Sequence, residues 1–139
     1  MNLLVLQTFK DYFTDLHFSD LSTLDEIYDE GIVFQDPIHL IEGREQLKTY
    51  FNKLNQNLVE GSFEFTEESV VGDKAYLTWE MHIQTKRPRS GISASGISVL
   101  TIQEKITHQR DYFDAGELFY ENLPLIGGLI RMLKRKLAN

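Results

Sequence analysis

Apolar positions recur at helical spacing as far as Gly61 and alternate at strand spacing after it, so the chain reads as a helical half followed by a sheet half. Leu3, Leu4, Leu6, Phe9, Phe13 and Leu16 form one apolar stripe, interrupted by Lys10, Asp11 and Asp15, which predicts an amphipathic first helix. Ser19 is placed to cap a second, short helix running to about Asp29. Its packing face is Leu21, Leu24, Ile27 and Tyr28, and Gly31 ends it. Ile32-Val33-Phe34 follows as a brief strand, and Asp36-Pro37 marks a turn because proline disfavours helical geometry at the residue before it. A third helix begins after Gly43, with Leu47, Tyr50, Phe51, Leu54 and Leu58 on its buried side.

The sheet half opens with Phe63 and Phe65 on one parity and reaches a Gly72-Asp73 turn after Val70 and Val71. Ala75, Leu77, Trp79, Met81 and Ile83 then alternate with Tyr76, Thr78, Glu80, His82 and Gln84, which predicts a long strand with one apolar face. An exposed loop over Lys86 to Gly91 precedes strands from Ile92 to Ile102 and from Ile106 to Phe113. The expected class is α+β, an antiparallel meander packed against N-terminal helices.

Beyond it, residues 115–139 form an extension in which Ile126, Leu129, Ile130, Leu133 and Leu137 oppose Arg131, Lys134, Arg135 and Lys136. This predicts an amphipathic C-terminal helix starting at Pro124, too short and too cationic to span a membrane. Closing the chain's own core is its favoured role; burial against a protein partner and peripheral contact with an anionic membrane are the alternatives.

A length of 139 residues suits one domain over 1–139, and a formal net charge of -7 argues against a nucleic-acid partner, which needs concentrated basic surface. Without cysteine the chain has no disulfide, thiol nucleophile or thiolate metal site. No secretory leader pattern opens the sequence, so the expected location is cytoplasmic. His39, His82 and His108 lack metal-ligand spacing, and no glycine-rich phosphate loop is present, so neither metal nor cofactor is expected.

Two acids carry the chemistry. Asp111, in Arg110-Asp111-Tyr112-Phe113-Asp114 at the end of the last strand, is costly to direct inward unless it is paired or used. Asp36 stands between a strand and a helix. Bland roles are open to both: Asp36 can form an Asx turn before Pro37, and Asp111 can pair with Arg110 or Arg44. Glu80 falls on the solvent parity of its strand unless the sheet bends, and Tyr12 fits a core aromatic as well as a hydroxyl donor.

The order of helices and sheet, with the residues now named, resembles the SnoaL-like family within the nuclear transport factor 2-like superfamily. Tyr12, Asp36-Pro37, Gly43-Arg44-Glu45 and Tyr112-Phe113 are similar to landmarks of ketosteroid isomerases. Lys105-Ile106-Thr107 and Arg110 to Asp114 are similar to the end of limonene-epoxide hydrolases. The resemblance implies a cone-like curved sheet, a homodimer, and a pocket for a small hydrophobic ligand near Tyr12, Asp36, Glu80 and Asp111. As an isomerase, Asp36 would be the base beside a ketone and Tyr12 the oxyanion donor, while the second acid donor of that family falls in Gly96-Ile97-Ser98-Val99, which has no acid. As an epoxide hydrolase, Asp111 and Glu80 would be the two acids, but the family's arginine falls near Thr78. Non-catalytic binding of a hydrophobic ligand is the third reading.

Overall fold

The computed structural model describes residues 1–16, 20–114 and 135–137. Helix α1 (Leu3–Thr14) starts where the Asn2 side chain accepts the backbone N–H groups of Leu4 and Val5, at 3.1 and 3.4 Å. It buries Val5, Leu6, Phe9, Tyr12 and Phe13, while Leu3 and Leu4 face outward. A single 3-10 turn (Leu21–Thr23), capped by Asp20, leads into the short α2 (Leu24–Ile27). The predicted cap at Ser19 lies outside the described residues.

The second helix is shorter than its apolar period suggested, because Tyr28 already belongs to strand β1 (Tyr28–Gln35), which runs straight through Gly31. After β2 (Leu40–Glu42), Gly43 adopts a φ of 97°, a backbone conformation that side chains disfavour, and opens α3 (Arg44–Gln56). Leu58 does not extend this helix. It begins β3 (Leu58–Val71), followed by β4 (Lys74–Thr85), β5 (Ser90–Ile102) and β6 (Ile106–Phe113). Asn57 fixes the junction: its side chain accepts from Arg87 N and donates to Arg87 O, both at 3.0 Å, tying the end of α3 to the β4–β5 turn.

The strands form one sheet in the order β2-β1-β6-β5-β4-β3. The meander β3 to β6 is antiparallel as its periods implied, but β1 pairs with β6 in parallel, so the sheet is mixed. Register shifts between Tyr28 and Val33, between Leu58 and Glu60, between Phe65 and Glu67, and between Thr101 and Ile102 are the irregularities that bend such a sheet. Its concave face takes α1, α2 and α3. Leu24, Ile27, Tyr28, Ile32, Leu47 and Leu100 are fully buried in the resulting core. A smaller cluster around Trp79, Met81 and Ala94 occupies the other part of the same face.

Of the C-terminal extension, only Arg135 to Leu137 are described; they are helical and exposed. The remainder of that predicted helix, with its core, partner and membrane alternatives, lies outside the described residues. No described helix is long and apolar enough to cross a membrane.

The indole of Trp79 crosses β5 over Gly96, where a Cβ would stand 2.5 Å from its ring and 2.6 Å from the carbonyl oxygen of Tyr112. Because one of these neighbours is backbone, the chain cannot give way cheaply. Gly96→Ala is therefore expected to destabilise the fold by about 1–3 kcal/mol through overpacking. Urea unfolding followed through Trp79, the single tryptophan of the chain, checks this; an unchanged midpoint would contradict it.

Candidate functional site

Between α1, α3 and the concave face of the sheet lies a cavity of about 490 Å³. Its walls are mainly aromatic and aliphatic side chains, because the inward parity of β3 and β4 is apolar and α1 and α3 turn Phe9, Phe13, Tyr50 and Phe51 toward it. Polar groups enter this apolar space from β5 and β6, from the turn after β1, and from α1 and α3.

Asp36 closes β1. Its Oδ1 accepts the backbone N–H groups of Ile38 at 2.8 Å and His39 at 2.6 Å, and the His39 ring nitrogen Nδ1 stands 3.2 and 3.3 Å from its two oxygens. The Asx turn that Pro37 suggested is thus present, and the same carboxyl lines the cavity. Oδ1 is held by the backbone, whereas among the described residues Oδ2 meets the His39 ring, which lies against both oxygens. That ring packs on Tyr50 with centroids 4.8 Å apart.

Asp111 lies one strand over. The parallel register pairs Gln35 with Arg110, so the next residues along, Asp36 and Asp111, are neighbours across the two strands. The Asp111 carboxyl terminates two hydrogen-bond chains. Trp79 Nε1 donates to Ser98 Oγ at 3.0 Å, which donates to Asp111 Oδ1 at 2.6 Å. Tyr28 donates to Gln109 Oε1 at 2.6 Å, and Gln109 Nε2 donates to both Asp111 oxygens, at 3.0 and 3.2 Å. Part of the Asp111 side chain stays accessible, but it opens into the cavity, and surrounding protein encloses the carboxyl. Burial pushes its pKa up to about 6; the bonds from Ser98 and Gln109 oppose this, the Asp36 charge adds to it, and Arg110 reduces it.

Tyr12 also lines the cavity from α1. Burial, reinforced by the Asp20 charge and opposed by a hydrogen bond with Asn55, raises its pKa and keeps the phenol a donor. Three of the four residues named from the sequence, Tyr12, Asp36 and Asp111, therefore reach one cavity. Glu80 does not. Trp79 and Met81 point inward, so the alternation of β4 puts Glu80 on the exposed convex face, across from Glu64 and Ser95, and the bend of the sheet does not reverse this. There Glu64, Glu80 and His82 bring potential ligand atoms within 4.8 Å of one another, away from the cavity. The residues that sequence reasoning passed over are Ser98, Gln109 and Tyr28, which hold Asp111, and His39, which meets Asp36.

A family model described as SnoaL-like domain matches residues 9–109. No curated protein sequence matches the chain significantly. Among solved structures, a hypothetical protein with a ketosteroid isomerase-like fold from Catenulispora acidiphila, in complex with trimethylamine, aligns with a TM-score of 0.73 and 15% identity, covering 84% of this chain and 90% of that one. An LEH-like epoxide hydrolase from M. tuberculosis gives 0.71 and 16%, covering 95% and 94%. A putative isomerase of the SnoaL-like family from Agrobacterium tumefaciens gives 0.62 and 15%, covering 81% and 97%. At these identities the likeness is one of fold.

The raised pKa of Asp111 has a thermodynamic consequence. The folded chain holds this proton more tightly than an ordinary aspartate at 3.8, so the group favours folding below that value and the contribution is lost as pH rises through about 6. Keeping Asp111 ionised above that range costs on the order of 3 kcal/mol. Asparagine keeps an oxygen for Ser98 and Gln109 without the charge. Asp111→Asn is thus expected to be more stable than the parent by about 1–3 kcal/mol at pH 8 and near parity at pH 4. Urea melts at both pH values measure the difference, and an equal gap at the two would contradict the assignment.

Proposed function

The chain belongs to the SnoaL-like family, and on that premise we propose that its cavity takes a small hydrophobic carbonyl compound and isomerises it by moving a proton. The observation that carries this reading is Asp36, a buried carboxyl in an apolar cavity with one oxygen fixed by backbone N–H groups and the other free of backbone donors among the described residues. A carboxylate so held is a positioned base for a C–H proton made acidic by an adjacent carbonyl. As the proton leaves, charge builds on the carbonyl oxygen, and the Tyr12 phenol, which keeps its proton, is the donor suited to receive it. Asp36 then returns the proton to a second carbon of the same ligand. Both partners come from this chain, so the reaction needs no cofactor.

Epoxide hydrolysis is the second reading, supported by Asp111, whose proton affinity near neutrality suits protonation of an epoxide oxygen. It ranks lower because Glu80, the matching second acid, is on the convex face. Binding without turnover is the third. Homodimerisation and a cytoplasmic location belong to the proposal as well, and size measurement of the full chain in solution tests the first.

Hydrophobic ketones incubated with the protein in deuterated water, with products followed by NMR, separate the readings. Enzyme-dependent deuterium uptake next to the carbonyl is expected. Asp36→Asn should lower it about 10²–10⁴-fold and Tyr12→Phe about 10²–10³-fold, with the fold retained. A full rate in Asp36→Asn would refute the base assignment. Epoxide opening abolished by Asp111→Asn favours hydrolysis, and quenching of Trp79 by ligands without any turnover favours binding alone.

A further inference from the structure

We propose that the cavity selects ligands bearing a hydrophobic ammonium group, such as a quaternary or tertiary amine, over their uncharged isosteres. The inference rests on the cavity being the ligand site, as above, and narrows the substrate class to amine-bearing hydrophobic carbonyl compounds; it does not require turnover.

Two carboxyls, Asp36 and Asp111, share an apolar space in which, among the described residues, no lysine or arginine pairs with them directly. The donors to Asp111 are neutral, a hydroxyl and an amide. Arg110 is next in sequence, but its guanidinium lies 4.7 Å over the exposed Tyr112 ring and donates to the backbone oxygen of Asp36 at 3.3 Å. Lys53 lines the cavity from an exposed position on α3.

The walls supply the remaining half of an ammonium site. Trp79 stands 5.0 Å from Phe63 and 6.2 Å from Phe113 by ring centroids, and Phe34 stands 6.1 Å from Tyr50. Aromatic faces attract a weakly hydrated organic cation, and they do so most when water is excluded. A neutral ligand would press carbon against an ionised Asp111, leaving its charge unanswered; an ammonium removes that penalty. It also offsets the negative charge that develops on a carbonyl oxygen beside the ionised Asp111, which connects ligand choice to the proton transfer proposed above.

The titratable and charged groups that face Asp111 are Tyr28 and Asp36 from β1 and its turn, Tyr50 from α3, and Arg110 from its own strand. His39 adds a charge near Asp36 when protonated. Since Asp111 ionises near pH 6, preference for a permanent cation should appear above that pH and fade below it.

The test pairs phenacyltrimethylammonium with its carbon isostere, neopentyl phenyl ketone, each titrated against the full chain by Trp79 fluorescence and calorimetry. At pH 8 the cation is expected to bind at least about tenfold tighter. That gap should shrink as pH falls through about 6, and Asp111→Asn should remove most of it at pH 8. Equal or tighter binding of the neutral ketone at pH 8 would overturn the proposal. A preference that survives intact in Asp111→Asn, or that does not respond to pH in the parent, would overturn the role given to Asp111. Cation-selective binding without deuterium uptake would leave this inference standing and remove the isomerase reading. Uptake from both ligands at equal affinity would do the reverse.

Discussion

An acid directed into an apolar space is the constraint around which this protein is arranged. Asp111 occupies an inward position of β6, where an unsatisfied carboxyl would be expensive. Among the described residues, its hydrogen bonds come from neutral donors rather than from a lysine or arginine. Ser98 can give its proton to Asp111 because Trp79 N–H fills its acceptor position, and Gln109 offers its amide because Tyr28 takes its oxygen. Each donor is oriented by another fixed group, so the orientation is set by side chains from β1, β4, β5 and β6 together. The absence of a side chain at Gly96 belongs to the same arrangement, since it lets the indole cross β5 toward Ser98.

The parallel pairing of β1 with β6 is the second determinant. An all-antiparallel sheet would have left Asp36 at the end of an early hairpin, with no reason to meet a residue near the end of the meander. Returning β6 alongside β1 joins two acids separated by most of the described chain and makes the charge of one an influence on the proton affinity of the other. The Asx turn at Asp36 serves both ends: it ends the strand, and it aims the carboxyl by tying one oxygen down.

Much of this frame was legible in the sequence, for reasons that also mark where legibility ended. Strand β4 was readable because Ala75, Leu77, Trp79 and Met81 alternate cleanly, and the same parity places Glu80 outside. The ends of α2 and α3 were misjudged at Tyr28 and Leu58, because an apolar residue at the boundary satisfies a helical stripe and a strand face equally well. Periodicity is local, so it carried no information about β1 choosing β6 as a parallel neighbour. The hydrogen-bond chains were hidden for a different reason. Thr107, Gln109 and Asp111 share the inward parity of β6, yet three polar residues in alternation look the same as a solvent-facing edge until the partners on other strands are known. Asp36 stood out by its place between a strand and a helix and Tyr12 by resemblance, and their common cavity is a property of the folded chain.

Strand order carries a further consequence for the margins of the sheet. Among the described strands, β2 and β3 are the margins of the sheet; β2 is three residues long, but β3 runs for fourteen and offers a long row of backbone groups on its open side. Such a margin is a template for another strand unless something repels it. Glu60, Glu64 and Glu67 are set along β3, so negative charge stands where an intruding strand would have to dock, while Glu68 on the same strand is paired with Lys10 of α1. Acidity along this margin thus works as a guard rail against the sheet growing by one more strand.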